Sequence, residues 1–490
     1  MLTRTAYPAL LLAIVSVCFY GYVLNFKDGI FHEFQAALIQ EQWMLLVCLA
    51  VWFSTFIFLT FSLEDLPLIG LLLIAIAAFF ISQANGRPAM DAIILLAGVT
   101  LGKGARFLLK ADGRWQMADR GNLLNAECGT RNAECISEFR TPNSELRTFL
   151  VGLVLLLAFA SWWHLDVAHR FYPGTRWTGL WDNPNIYGML MAAGVVLAAG
   201  LLLADRRWKM EDGESARNQK SEFRSQNQAK RGEIVLRSLR FFAAIKSAFR
   251  TPHSALLFVA VGMMGVGLFF SYSRGAWLGT AVGLLYLAKL HGKFKWRYVV
   301  LGAGLVALGA LLIWGRTPDD APWYLKRMDL SRASAQHRVA AWRGAVQMMW
   351  DHPFGVGWNK AVETYEKNYS PPEDGAGAIA TNDYLMLGTQ LGLPGLLCFI
   401  SYVALCLRSP KSKVQSPKSG NGASLDIGHW TLDSPQVACR AGALAMLVAF
   451  WFDGGLFTLA TAVVFWVLLE LSQMRNPPSQ SYGATSAETG

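Results

Sequence analysis

SALLFVAVGMMGVGLFFSYSRGAWLGTAVGLLYLAKL, from Ser254 to Leu290, holds two apolar runs parted by one short polar turn, Ser271-Tyr272-Ser273-Arg274-Gly275. The first run has no charged residue, and the second has only Lys289 at its far end. As helices, runs of this length approach the roughly 30 Å of hydrocarbon in a bilayer. In lipid every backbone N–H and C=O must find a partner inside the chain, so such runs fold as helices. The stretch is therefore a membrane hairpin, with an arginine between small Ser and Gly neighbours where one span emerges and the next re-enters.

Working outward, runs of the same kind recur along most of the chain. They predict spans near 8–25, 44–62, 66–83, 90–108, 148–164, 185–204, 254–271, 275–290, 297–315, 382–406, 437–452 and 456–472. Composition agrees: 53% of the 490 residues are hydrophobic and 16% are charged, whereas soluble chains carry about 25% charged residues. The 18 Trp and 29 Phe suit interfacial anchors as well as a core. The first run, Pro8 to Leu24, resembles a signal peptide, but Asn25-Phe26-Lys27-Asp28 follows it with no small-residue cleavage site. An uncleaved first span is expected.

The formal charge of +10 sits mainly in short segments between apolar runs. That is the signature of membrane topology, and it argues against nucleic acid as a partner. Segments 109–147, 205–253, 289–297 and 407–436 are basic and alternate correctly if all are cytoplasmic. Both termini then lie in the cytoplasm, and 164–184, 271–275, 316–381 and 453–455 lie outside. None of the seven cysteines falls in an outside segment, so no external disulfide framework is expected.

The fold class expected is all-α, a polytopic membrane helix bundle of about twelve transmembrane helices with a mostly helical external loop domain. Residues 1–147 hold N-terminal spans and a basic cytoplasmic loop. Residues 148–315 hold central spans with a low-complexity cytoplasmic insert at 205–253. Residues 316–381 form the external loop domain, 382–475 the C-terminal spans and 476–490 a disordered tail.

The outside segments carry the candidate chemistry. Arg274 is costly in lipid, so it is expected to face protein, water or an anionic ligand. Ser334 to Trp350 is amphipathic, with Val339, Trp342, Val346 and Met349 at helical spacing and His337, Arg338 and Arg343 between them. Asp351-His352-Pro353 ends that helix, since Pro disfavours helical geometry in the residue before it. Spacing alone leaves Arg338 open between a solvated charge and a ligand. The turn from Arg176 to Asn185 is rich in aromatics and amides, suited to sugars by stacking and hydrogen bonding, or to a simple interfacial belt.

These motifs together resemble the O-antigen ligase and polymerase superfamily of bacterial membrane proteins. The resemblance rests on Ser273-Arg274-Gly275, on Arg338 and Trp342, and on His352-Pro353-Phe354-Gly355-Val356-Gly357-Trp358. It rests also on the turn Thr178-Gly179 to Asn183-Pro184-Asn185, and on Asn382 followed by Gly392-Leu393-Pro394-Gly395. The resemblance covers about residues 150–475. It implies a metal-independent, cofactor-free glycosyltransferase of the cytoplasmic (inner) membrane. Such an enzyme takes a glycan from undecaprenyl diphosphate to a glycan or lipid acceptor, among membrane lipid. It further implies that Arg274 and Arg338 hold the diphosphate. Arg176, Asn185, His337, Trp342 and Asn382 are the expected substrate-binding residues. The family's ligases carry His immediately before the Asn, where this chain has Thr381; a glutamate common further along the motif is Gln390 here. Thr is no general base at ordinary pH. Substitutes are Asp383, His337, His352 and Glu363, of which Asp383 is placed best. Alternative readings are a polysaccharide flippase, which predicts midplane charges and internal repeats, and an inactive homologue serving glycan assembly.

Overall fold

The computed structural model describes residues 63–84, 90–127, 142–162, 176–179, 181, 183–221, 252–290, 333–369, 382–408 and 435–474. The spans expected at 8–25, 44–62 and 297–315 and the tail from 476 lie outside the described residues. Within them the chain is all helical. In order come α1 (Leu66–Ala84), α2 (Met90–Glu127), α3 (Pro142–Trp162), α4 (Pro184–Ser221), α5 (Pro252–Ser271) and α6 (Arg274–Leu290). They are followed by α7 (Ala333–Asp351), α8 (Ala361–Asn368), α9 (Asp383–Leu407), α10 (Pro435–Asp453) and α11 (Leu459–Leu471).

Proline sets several of the starts. Pro142, Pro184, Pro252 and Pro435 each open a helix, a position where the missing N–H is not needed and the fixed φ already suits the helix. Five helices, within α2, α4, α5, α9 and α10, are long and apolar enough to cross a membrane, and the apolar parts of α1, α3 and α11 are shorter. Two helices outrun the spans expected of them: α2 continues to Glu127 and α4 to Ser221. Their polar ends are rich in Ala, Glu, Lys and Arg, which keep helical geometry in water.

Helix α4 is the centre of the bundle, packed by α3, α5, α6, α10 and α11, while α2 pairs with α11 and α1 with α9. Without a hydrophobic drive inside lipid, close approach between helices depends on small residues. Gly283 of α6 faces Val196 of α4 and the Ala441 carbonyl of α10, and a Cβ there would lie 2.9–3.0 Å from both.

Charges are buried at the bundle end opposite the Ser271–Arg274 turn. Lys103 pairs with Asp65 and lies 3.2 Å from Glu470 Oε1; Arg106 is 3.2 Å from Glu470 Oε2 and donates to Gln473 Oε1 at 2.7 Å. Tyr402 Oη donates to the same glutamate. Two cations and two carboxylates neutralise one another, which is how such groups persist among apolar helices.

Helix α9 is broken, and the break organises the outer loop. Gly392 has φ +75 and ψ −179, and Pro394 follows. Pro394 has no N–H to give the Gln390 carbonyl, and Leu393 turns its own N–H away from Thr389. The loop after α7 closes each gap: Val356 N donates to Thr389 O at 2.9 Å, Gly357 N to Gln390 O at 3.0 Å, and Leu393 N to Pro353 O at 2.9 Å. Trp358, fully buried, donates Nε1 to Ala75 O of α1 at 2.9 Å. The two sequence motifs, Pro353-to-Trp358 and Gly392-to-Gly395, are thus the two sides of one seam.

A side chain at position 392 meets both a left-handed φ and the Pro353–Phe354 backbone, with Phe354 Cα 2.6 Å from the Cβ. Gly392→Ala is therefore expected to destabilise the protein by about 1–3 kcal/mol. The thermal midpoint of the detergent-solubilised protein should fall by several degrees. Gly262→Ala, which meets nothing within 4 Å, should leave it unchanged; equal midpoints for the two variants would show that the seam carries no strain.

Candidate functional site

The turn between α5 and α6 is held by its own serines. Ser271 Oγ donates to Leu268 O at 2.7 Å and accepts from Ser273 N at 3.2 Å. Tyr272 takes a positive φ of 51, which lets the chain reverse within two residues. Ser273 caps α6 by accepting Ala276 N at 3.2 Å, as short hydroxyl residues do at helix starts. Its own hydroxyl proton goes to Asp453 Oδ2, at the end of α10.

Asp453 accounts for the whole Ser-Arg-Gly element. A Cβ at Gly275 would lie 2.5 Å from Asp453 Oδ2 and 3.0 Å from Phe452 Cβ, so only glycine leaves room for the carboxylate. Ser273 binds it, and Arg274, exposed between the two, is the first residue of α6. The carboxylate is nearly buried and lies at a helix N-terminus, where exposed N–H groups favour negative charge. On its other oxygen, Oδ1, stands Arg338 of α7, with Nη2 3.9 Å away. That distance is a loose ion pair, so the guanidinium keeps donors for another anion. One carboxylate thus ties together the two elements that carry Arg274 and Arg338.

Arg176 and Asn185, expected among the substrate-binding residues, are bonded to each other through Arg176 Nη2 and Asn185 Oδ1. Arg176 Nε also donates to Ser271 O at 2.8 Å, capping the last turn of α5. Trp177 adds a backbone bond to Phe270 O at 3.0 Å and stacks on its ring at 4.6 Å. In this arrangement the turn clamps the α5–α6 hairpin from the side.

Asn382 is the N-cap of α9, accepting Tyr384 N and Leu385 N at 3.1 Å on its side-chain oxygen. Its Nδ2 is buried with no partner among the described residues. Asp383 is buried beside it, and its Oδ2 accepts Gly455 N at 2.5 Å and Leu456 N at 2.8 Å. Those amides belong to the turn just after Asp453, where Gly454 has φ +58. Asp383 thereby holds the segment that presents Asp453. Gln390 donates Nε2 to Asp91 Oδ2 of α2 at 2.9 Å.

Trp342 follows Arg338 by one helical turn. Its ring meets Trp451 edge-on at 5.8 Å, and Trp451 lies 5.5 Å from Tyr384, so aromatic rings from α7, α10 and α9 form one row. The Trp342 Nε1 proton has no acceptor among the described residues. His337 lies in α7 next to Arg338, with its side chain outside the described set. His352 is exposed at the far end of α7, fourteen residues and about 21 Å along the helix from Arg338. Thr381 is outside the described residues.

The carboxylate of Asp453 is the residue that sequence reading passed over. The only local sign is an acid ahead of two glycines, Phe452-Asp453-Gly454-Gly455, where an apolar helix meets the outside. Residues 259–400 match the model of the O-antigen ligase family. The match takes in the hairpin, α7, the Pro353–Trp358 turn and the broken part of α9, while Arg176, Asn185 and Asp453 lie beyond it. No curated protein matches the chain.

Proposed function

We propose that this multi-pass bacterial membrane protein, whose residues 259–400 match the O-antigen ligase family model, is a glycan transferase working on the outer face of the cytoplasmic membrane. It takes a glycan from undecaprenyl diphosphate and joins it to a glycan or lipid acceptor. The basic segments support this placement, with both termini in the cytoplasm.

The observation that carries the reading is the shared carboxylate of Asp453, bound by Ser273 on one oxygen and approached by Arg338 on the other. In the transfer, an acceptor hydroxyl oxygen bonds to the anomeric carbon of the glycan and its proton passes to water at the outer face. The bond from that carbon to the diphosphate oxygen breaks, and the electron pair leaves with the lipid diphosphate. Negative charge therefore grows on the departing phosphate. Guanidinium groups meet it with charge-assisted, bidentate hydrogen bonds that neutral donors cannot equal. Arg274 and Arg338 are the two cations for this task. Asp453 holds their supporting elements in place before reaction, and prior placement is what makes such charges effective. Trp342, one helical turn from Arg338, and Trp451, packed against it, offer rings suited to stacking a sugar ring or isoprenoid.

Asp383, Arg176 and Asn185 serve this site by position: the first secures the turn behind Asp453, the others hold the hairpin. Because Thr381 stands where ligases have His, the reading covers transfer to a lipid acceptor and extension of a growing glycan alike. The purified chain in liposomes, given an undecaprenyl diphosphate-linked glycan with and without a lipid A-core acceptor, tests it. Release of undecaprenyl diphosphate in step with glycan joining is expected. No release with either acceptor would remove the reading.

A further inference from the structure

Helix α7 has two faces. Ala341, Ala345, Met348 and Met349 are buried against α8 and α9, with Trp342 packed beside them. On the opposite side Val339, Arg343, Val346 and Trp350 recur at steps of four, three and four, which places them on one narrow stripe. All four are exposed, Trp350 by 74%, and the stripe continues into Phe354 at 83%. Two large aromatics turned outward at the end of an apolar stripe are not what a water-bathed surface selects.

The seam with α9 fixes the depth of this stripe. Pro353, Val356 and Gly357 bond to Leu393, Thr389 and Gln390, some six to ten residues inside α9 and about 9–15 Å from its Asp383 end. Trp358 reaches Ala75, midway along the apolar stretch Leu66–Ile81. Just beyond the seam α9 exposes Leu397 by 61% and Ile400 by 47%, on a helix long and apolar enough to cross a membrane. Phe354, whose backbone abuts Gly392, thus joins α9 within about five residues of that exposed flank.

We propose that this face of α7 lies in the outer leaflet, with Phe354 and Trp350 in the boundary between headgroups and acyl chains and Arg343 reaching up to the lipid phosphates. Its occupant is phospholipid. An amphipathic helix with aromatics on one side and a cation within the stripe binds such a surface through buried apolar area and anionic headgroups. The assignment does not need glycan transfer; it rests on the membrane and on the outward placement of 316–381 given under the proposed function.

Phe354, Trp350 and, as a control, the exposed Lys367 of α8 are each replaced by p-benzoylphenylalanine in cells whose phospholipids carry tritiated glycerol. Irradiation should attach tritium to the chain at 354 and 350, about tenfold above the 367 control, as expected for groups seated in the interface. Labelling at or below the control, or a crosslink from 354 or 350 to another part of this chain or to a second protein, overturns the proposal. Phe354→Cys provides a second reading on cells with a permeabilised outer membrane, against the unmodified chain as background. A membrane-impermeant maleimide should leave it unreacted while modifying Lys367→Cys; equal rates would also overturn the assignment.

Discussion

Arg338→Ala and Arg274→Ala are each expected to reduce glycan transfer by about 10²–10³-fold, the usual loss when one preorganised charge or donor is taken from a site of developing negative charge. The amount of protein in the membrane should not change, because Arg274 is exposed and Arg338 makes only a 3.9 Å pair. Transfer is followed as surface glycan in cells and as lipid diphosphate released in liposomes. Lysine at either position should recover a minor part of the rate, since it restores charge without the planar fork that grips two phosphate oxygens. Normal transfer by both alanine variants would mean that the diphosphate is held elsewhere.

The second large effect is expected at Asp453. Asp453→Ala leaves the Ser273 hydroxyl without its acceptor and Arg338 without its counter-charge. Losing a charged hydrogen bond in a buried setting costs about 1–3 kcal/mol, and the hairpin and α7 are no longer tied together. Transfer should fall by roughly 10²-fold, since small misplacement of a catalytic group is enough for such a loss. Asp453→Asn keeps an oxygen for Ser273 and the shape of the side chain, so the thermal midpoint should be near that of the parent while transfer stays low. Adding Ser273→Ala to Asp453→Ala should lower transfer little further, because the two share one contact there, while the lost Ala276 cap takes about 1 kcal/mol more from stability. Full additivity between them would show that Ser273 and Asp453 serve separate purposes.

How much of this was readable beforehand depended on how local each cause is. The hairpin was legible because its signal, two apolar runs around Ser273-Arg274-Gly275, lies within one stretch of chain. The start of α7 and its end before Pro353 were legible for the same reason: each follows from neighbours a few residues away. Asp453 was not, since its meaning comes from Ser273, 180 residues earlier, and no periodicity links them. Asp383 was recognisable as a polar residue at the head of a helix, but the direction of its carboxylate was not. That direction is set by two amides more than seventy residues away. Gly392-Leu393-Pro394 fell inside the span expected at 382–406, and the structure shows it as a break within that helix. Pro394 in isolation predicts trouble for the helix; only the incoming Val356 and Gly357 amides show how it is resolved. Arg176 and Asn185 have the chemistry of sugar ligands, and nothing in their spacing reveals that they bind each other.

The buried charges at the far end of the bundle bear on how the chain is assembled. Lys103 finds Asp65 only 38 residues away, so that pair is complete early in synthesis. Arg106 meets its carboxylate, Glu470, 364 residues later, in the last of the described helices. Domains and helices emerge from the ribosome in order. Until α11 arrives, α2 therefore holds an arginine that lipid does not welcome. Some 364 residues must follow Arg106 before this charge is balanced. Chains stopped short of α11 should consequently be cleared by membrane proteases rather than accumulate, which makes α11 a checkpoint on assembly.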